Sequence, residues 1–583
     1  MTASRAEFAL ALAVGLFASA AAAQAPASGP PATLQESAPA EPASPPPSNS
    51  SIEVNPLGAP EGPALGLLDA TTGGMADDIW SGSARGAIEE KLLRVPLASP
   101  VRSIRGLSRK LVLTKADAPP GQAPHAFLGV RIQVLLNAGL VAEAAKLAAQ
   151  ADIKDDPEFA RLQAEAILLG GGPADACGNA TLTRNANTEP FWMQLRAYCY
   201  AVAGNGDLLE MTRGVMKSEG ADDKPFETLL DDVLTHKAAP PGDIHEPTAV
   251  DVFLMRQAGI PINANLAAKF GLAASVLTLR DAKNPPAARA EAAAQALHAG
   301  AATPVELASV ADAQSFTSQQ FANAANAAAG LPFFMGQALI RQSVAHATND
   351  DEKVKLLAVA FRLGRQNNLL PVAAALQARG ASAIKPTQAM HSFAPAFAQA
   401  LLLARQADAA ERWREILDVN NPSDKLLAAF LAAQLDLVAT NPGRAARAQE
   451  GLAVLSQNAA APQPVGGSAE KQFAALTLGL YDALGLTMPA DARGQAAAML
   501  AQPLPGRHLA PATMKHITDS KDQSGLKGET VLALLNGVGV EGPGDLAPDA
   551  SVFVTRTLKD LGEDDQARAF AIDALLLYRP APP

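Results

Sequence analysis

The sequence predicts an all-α protein. Alanine makes up about a fifth of the 583 residues, whereas aromatic residues make up only 4%, and such a composition favours helices over strands. Short amphipathic segments recur along the chain between glycine, proline and asparagine residues. No stretch shows the sustained alternation of apolar and polar residues that is typical of a β-strand.

The N-terminus has the features of a secretory signal peptide. Arg5 precedes an apolar run at Phe8–Ala20, which has the length of a signal-peptide core and is short for a membrane span. Three alanines end at Ala23 and favour cleavage between Ala23 and Gln24. We therefore expect a signal peptide at 1–23 and a periplasmic mature chain, with an extracellular location as the alternative. An uncleaved anchor or a buried apolar helix is the other interpretation of this run.

Residues 24–64 form a linker rich in proline, alanine and serine. Its apolar content is too low to offset the entropy lost on ordering, so we expect it to be disordered. It is either a passive tail or a tether and proline-rich ligand. No later segment holds eighteen uncharged apolar residues, so no integral membrane segment is expected after signal removal.

Cys177 and Cys199 are the two cysteines of the chain. In an oxidising compartment, a lone pair close in sequence predicts a disulfide. Closing this loop would stabilise the fold by about 3 kcal/mol. Two buried free thiols are the alternative.

Proline marks a series of helix starts, at Pro157, Pro190, Pro225 and Pro247. The first two intervals are close to 34 residues, and apolar residues follow each proline at spacings of three and four. A unit of this length holds two helices that cannot bury their own apolar faces. Neighbouring units are therefore expected to stack.

These units resemble tetratricopeptide-type αα-hairpin repeats. The same pattern returns at Phe393–Asp418 and in a C-terminal pair of helices at Val552–Leu561 and Glu563–Tyr578. The repeats are degenerate, and another helical repeat is the alternative, because no unit carries the family's Trp-x-x-Leu-Gly-x-x-Tyr opening. The resemblance implies an α-α superhelix, an α-solenoid whose concave surface binds peptides or helices.

Proline and glycine breaks divide the helical part of the chain. Breaks near 236–247 and 457–468 predict an N-terminal segment at 65–240, a central segment at 241–460 and a C-terminal segment at 468–583.

The search for catalytic motifs favours a protein without enzymatic activity. Gly537–Gly542 matches the G-x-G-x-x-G string of dinucleotide-binding proteins, but it follows a helical run, and Pro543 interrupts the helix that should come next. The eight histidines show no metal-ligand spacing. We expect no cofactor and no metal. A cell-wall hydrolase whose site assembles from residues far apart in sequence is one alternative.

The remaining interpretation is protein binding. A net charge of −11 without a long basic run excludes an electrostatic nucleic-acid binder. We expect a scaffold or adaptor that binds protein partners in the cell envelope, in cell-wall, secretion or motility machinery. A secreted or surface structural protein is the other alternative. Trp192, Tyr198 and Trp413 are candidate partner-binding aromatics, with burial in the core as the competing interpretation.

Overall fold

The computed structural model describes residues 64–151, 156–178, 189–221, 223–237, 244, 248–262, 264–462 and 464–580, and only the backbone of 173 and 264–270. These residues contain twenty-eight α-helices, two short 3-10 segments and three isolated β-bridges, but no β-strand. The predicted all-α class is therefore confirmed. The signal peptide, its cleavage site at Ala23 and Gln24, and nearly all of the linker lie outside the described residues.

Proline begins several of the first ten helices. Pro157 and Pro190 are the first residues of their helices and Pro225 is the second, as predicted; Pro247 lies outside the described residues. The ten helices are α1 (Arg85–Leu92), α2 (Arg102–Leu113), α3 (Phe127–Asn137), α4 (Val141–Ala148), α5 (Pro157–Gly170), α6 (Pro173–Gly178), α7 (Pro190–Val202), α8 (Gly206–Ser218), α9 (Lys224–Thr235) and α10 (Ala249–Ala258).

The central helices begin with side-chain caps at several points. Thr303 and Glu306 form a capping box, and Asn349 accepts a hydrogen bond from the backbone N–H of Glu352, so both starts satisfy N–H groups that lack a partner within the helix. These helices are α11 (Ala264–Arg280), α12 (Pro286–His298), α13 (Pro304–Asp312), α14 (Ser318–Ala322), α15 (Ala324–Ala329), α16 (Phe333–His346), α17 (Asp350–Gln366) and α18 (Leu370–Ala383).

The predicted C-terminal helix pair is present, and Phe393–Asp418 contains two helices. The 3-10 segments are Gln388–Phe393 and Ser524–Leu526. The last ten helices are α19 (Ala394–Leu403), α20 (Ala407–Glu415), α21 (Pro422–Val438), α22 (Pro442–Ala460), α23 (Gly467–Ala483), α24 (Ala490–Leu500), α25 (Pro511–Ser520), α26 (Lys527–Val538), α27 (Pro548–Asp560) and α28 (Asp564–Leu577).

One tight turn joins five of the helix pairs. A residue with positive φ follows the first helix, and the second helix begins two residues later. The next backbone N–H bonds back to a carbonyl five residues earlier, as Leu140 does to Leu135 at 2.9 Å. This 6→1 bond closes the C-terminal turn of the helix. The positive-φ residues are Gly139, Gly204, Asn368, Arg405 and Gly562.

Leu57–Pro583 forms one compact unit in which many helices pack against the next helix along the chain. The pairs α4–α5, α7–α8, α11–α12, α17–α18, α19–α20 and α21–α22 pack extensively. Small buried alanines allow these close approaches, for example Ala433 and Ala448, which are fully buried in α21 and α22. The boundaries of the three predicted segments stay a prediction. Helices on either side of the second break, α22 and α23, contact each other.

The last helix packs against alternate helices of the array. α28 contacts α19, α21 and α23, and it also contacts α27 and the N-terminal α2. It therefore lies where the first and last parts of the compact unit meet. No helix in the described ranges is long and apolar enough to cross a membrane.

Candidate functional site

The N-terminal helices α1 and α2 pack against α26 and α28, and we call this contact the closing seam. Lys91 Nζ lies 2.6 Å from Glu529 Oε1, which joins α1 to α26. The backbone N–H of Ser103, in α2, donates to Asp573 Oδ2 of α28 at 2.8 Å. The paired residues are more than 430 positions apart in sequence, so the seam joins the two ends of the helical array.

Asp573 is the buried acid of this seam. Its side chain is 5% exposed, and Arg405 Nη2 lies 3.6 Å from its Oδ1. Burial raises the pKa of Asp573 above its ordinary value, although the charge of Arg405 and the hydrogen bond from Ser103 oppose that shift. Removing one partner of such a buried pair leaves the charge of the other partner uncompensated, which destabilises the fold.

Two loops approach the seam closely because of their backbone conformation. Arg405 follows α19 with φ of 60°, a conformation that costs a non-glycine residue about 1 kcal/mol and that here accompanies the contact of its guanidinium with Asp573. Gly300 follows α12 with φ of 61°, and a side chain there would collide with the guanidinium of Arg105. Arg105 donates to the Ser99 carbonyl at 2.7 Å.

A pocket with a cavity volume of about 200 Å³ lies beside the C-terminal end of α28. We call it the seam pocket. Four parts of the chain line it: the loop before α2, the α17–α19 region, the loop between α26 and α27, and residues around the end of α28. The lining residues are Pro100, Val101, Arg365, Asn368, Leu370, Pro371, Gln399, Glu541, Gly544, Leu576, Leu577, Tyr578 and Arg579.

The polar side chains of the seam pocket are held by short hydrogen bonds. Gln399, on α19, donates from Nε2 to the Leu576 carbonyl at 2.5 Å and accepts from Arg365 Nη2 at 2.8 Å. Arg579 Nη1 donates to Asn368 Oδ1 at 2.7 Å. The two guanidiniums therefore lie against neutral amides.

A second pocket, with a cavity volume of about 250 Å³, shares Gln399 with the first. Its walls are largely apolar and come from α19, α21, α23 and the end of α28. Phe430 and Phe473 meet edge to face in it, with ring centroids 4.6 Å apart. Both pockets therefore border the same helix end.

A different surface, on α8, exposes apolar side chains. Leu209, Thr212 and Met216 are buried, whereas Met211 and Val215 are 60% and 40% exposed. Together with half-buried Leu208, the two exposed residues follow one stripe of the helix. We call Leu208, Met211 and Val215 the α8 face.

Large exposed apolar residues are concentrated around this helix. Eight occur in the described parts of the chain, and four of them lie between positions 202 and 234, in α7, α8 and α9. These four are Val202, Met211, Val215 and Leu234. Contiguous exposed apolar surface is characteristic of protein interaction sites.

The three candidate partner-binding aromatics lie in the core. Trp192, Tyr198 and Trp413 are 2%, 1% and 0% exposed. Tyr198 meets Phe253 edge to face, with centroids 5.0 Å apart, and Trp413 stacks on Phe397 at 4.4 Å. In the folded chain these rings pack helices together, as the core interpretation expects, and they present no face to a partner.

Cys177 and Cys199 form the predicted disulfide, with Cα atoms 5.5 Å apart. The bond ties α6 to α7, next to the helices that carry most of the exposed apolar side chains. It therefore braces the neighbourhood of the α8 face.

The residues of the glycine string Gly537–Gly542 lie at the C-terminal end of α26. A side chain at Gly542 would come within 2.8 Å of Val101 Cγ2, so this glycine allows the loop to pack against the segment before α2. Phosphates bind at helix N-termini, where N–H groups are free. Among the described residues, no three His, Cys, Asp or Glu side chains group as metal ligands would.

Sequence reasoning did not find the residues of the seam pocket. Arg365, Gln399 and Arg579 are far apart in the chain and belong to no motif. The α8 face has a signal in the sequence, because apolar residues form two stripes on this helix. The pattern does not show which of the two stripes another helix covers.

The fold and its pockets define an all-α protein of packed helix pairs. Comparison of the chain with protein-family models, curated proteins and solved structures finds no match.

Proposed function

We propose that this protein is a non-enzymatic scaffold or adaptor of the cell envelope, and that it binds a protein partner through the α8 face. The observation that carries this proposal is the concentration of exposed apolar side chains on α7–α9. Apolar side chains that no described helix covers contribute binding free energy when a partner removes them from water.

The helix arrangement supports a tetratricopeptide-like α-solenoid as the framework of this scaffold. Five helix pairs share one turn geometry, and a repeated turn between paired helices is what a solenoid requires. A solenoid presents long helical surfaces to its partners, and the α8 face is such a surface.

The proposed location is the periplasm, with the extracellular medium as the alternative. The apolar run at Phe8–Ala20 and the alanines before Gln24 support export, and the Cys177–Cys199 disulfide suits an oxidising compartment. Fractionation of cells, followed by N-terminal sequencing of the purified chain, tests this. A mature chain that begins at Gln24 and is released by osmotic shock supports it, whereas a chain retained in the cytoplasm contradicts it.

Photo-crosslinking in intact cells tests the binding surface. A crosslinking residue at Met211 or Val215 should capture the same partner, because both lie on the α8 face. Val305 and Val419 are matched controls, since they are 79% and 61% exposed but lie on other parts of the chain. Capture at the α8 face alone supports the proposal. Equal capture at all four positions, or none at Met211 and Val215, contradicts it.

A further inference from the structure

We propose that the seam pocket binds a small ligand that carries a carboxylate on an apolar body. This site is separate from the α8 face, so the inference goes beyond the scaffold function and does not depend on it. The inference rests on two arginines, on the apolar walls beside them and on the size of the pocket.

Arg365 and Arg579 supply the positive charge. No carboxylate oxygen of the described residues lies within 4.0 Å of either guanidinium, and their hydrogen bonds in the pocket go to the amide oxygens of Gln399 and Asn368. A guanidinium has five N–H donors in a fixed planar fork. Each arginine therefore keeps donors for a ligand, and the fork geometry matches the two oxygens of a carboxylate.

The other arginines of the closing seam are used within the protein. Arg405 lies against Asp573, and Arg105 donates to a backbone carbonyl. The chain as a whole carries a net charge of −11. The charge of Arg579 also lowers the pKa of Asp545, but Asp545 pairs with Arg507 at 2.9 Å, so neither pocket arginine has an ion pair of its own among the described residues.

The charge of the pocket favours a ligand with a single negative charge. Glu541 also lines it, so the two arginines and this carboxylate leave one net positive charge. A doubly charged phosphate would meet repulsion from Glu541. A monocarboxylate balances the pocket.

The walls and the size of the pocket suit the apolar part of such a ligand. Val101, Leu370 and Leu576 line it together with two prolines, and these side chains exclude water from an alkyl or aliphatic group. The cavity volume of about 200 Å³ suits a short aliphatic chain, and the pocket combines apolar walls with a few polar groups as small-molecule sites do.

Isothermal titration calorimetry on the purified full chain tests this inference with octanoate and neutral 1-octanol. Octanoate should bind at least about 10-fold more tightly, because only the carboxylate can form charge-assisted hydrogen bonds with the arginines. The acetylated peptide Ala-Leu-Leu, as free acid and as amide, distinguishes the two sources of such a carboxylate. Tighter binding of octanoate indicates a free organic acid, and tighter binding of the free-acid peptide indicates a peptide C-terminus.

Substitutions connect the binding to the pocket. Arg365→Gln and Arg579→Gln should each weaken binding of the preferred carboxylate by about 10-fold and leave 1-octanol unchanged. Arg362→Gln is the matched control, since Arg362 is exposed on the same helix and does not line the pocket. Arg365→Lys, which keeps the charge but loses the planar fork, should retain part of the affinity.

Three results would overturn the inference. They are equal binding of octanoate and 1-octanol with no preference for the free-acid peptide, no binding of any probe at millimolar concentration, and equal effects of Arg362→Gln and Arg365→Gln. The measurement uses purified protein without a partner, so its outcome is independent of the crosslinking experiment.

Discussion

The closing seam and the α7–α9 helices use their surfaces in opposite ways. In the seam, charged groups have partners within the protein: Asp573 is buried and bonded to Ser103, and Lys91 pairs with Glu529. In α7–α9, apolar side chains such as Met211 remain exposed. Among the helices described, α8 packs extensively only against α7.

The difference shows which helix surfaces form contacts within the protein and which remain exposed to a partner. Helices α1 and α2 use their surfaces to hold the two ends of the array together. The α8 face has no equivalent contact with the described parts of the chain, although it costs free energy to expose apolar surface to water. Stability should therefore depend on the seam, and partner binding on α8.

The largest expected effect is on the seam. Asp573→Ala should lower the free energy of unfolding by about 3 kcal/mol, because Arg405 and the Ser103 N–H lose their buried acceptor. Urea denaturation of the purified chain measures this. Asp565→Ala is the control on the same helix, since Asp565 is exposed, and it should change stability by less than about 0.5 kcal/mol. Equal losses for both variants would contradict the role assigned to the seam.

Loss of the disulfide should have an intermediate effect on stability, confined to the region of α7–α9. Replacing Cys177 and Cys199 by serine should lower the free energy of unfolding by about 3 kcal/mol or less, since the loop entropy model gives an upper value. Hydrogen exchange should become faster in α7 and α8 and stay unchanged in α28. Faster exchange in α28 as well would show that the two regions are not independent. Adding a reductant to the double variant is the control and should have no effect.

The smallest expected effect is on the pH dependence of stability, whose sign should differ between the two regions. Burial raises the pKa of Glu529, but the hydrogen bond and charge of Lys91 outweigh it, and the pKa lies below its ordinary value. Burial also raises the pKa of Glu227, in α9, and there it outweighs the charge of Arg213. A lowered pKa contributes stability above the unfolded value of about 4.3 that is lost as pH falls through the folded pKa. A group with a raised pKa contributes stability below its unfolded pKa, and this contribution is lost as pH rises through the folded pKa.

Substituting each glutamate by glutamine tests the sign of its contribution to stability. Glu529→Gln should destabilise the protein at pH 7 by about 1 kcal/mol, and its deficit should shrink as pH falls below about 4. Glu227→Gln should be at least as stable as the original chain at pH 7. Denaturation curves between pH 3 and pH 7 test both. The same sign for the two variants would contradict the difference between the regions.

Local features of the fold could be predicted from the sequence. Proline at Pro157 and Pro190 marks helix starts, because its missing N–H and restricted φ suit the first helical position. The spacing of apolar residues after them predicts the buried stripes of α5 and α7. The disulfide was predictable because the chain has one pair of cysteines.

The spacing of apolar residues in the sequence does not show which aromatic side chains are buried and which face solvent. Trp192 and Tyr198 lie on a helix that is buried on nearly all sides, so their spacing is the same for a core helix and for a helix with one binding face. Arg405 was also unremarkable in sequence, since arginine is not among the residues enriched at positive φ, whereas Asn368 follows the preference of asparagine for that conformation.

The sequence by itself determined the helical class, the places where helices begin and the pairing of Cys177 with Cys199, because each of these depends on composition or on neighbours along the chain. Only the tertiary structure decided that α2 meets α28, that Arg365 and Arg579 share a pocket and that Met211 stays exposed. These contacts join residues hundreds of positions apart, or depend on which helix face another helix covers. Such choices are made by the packing of the whole array, and one linear pattern is compatible with several of them.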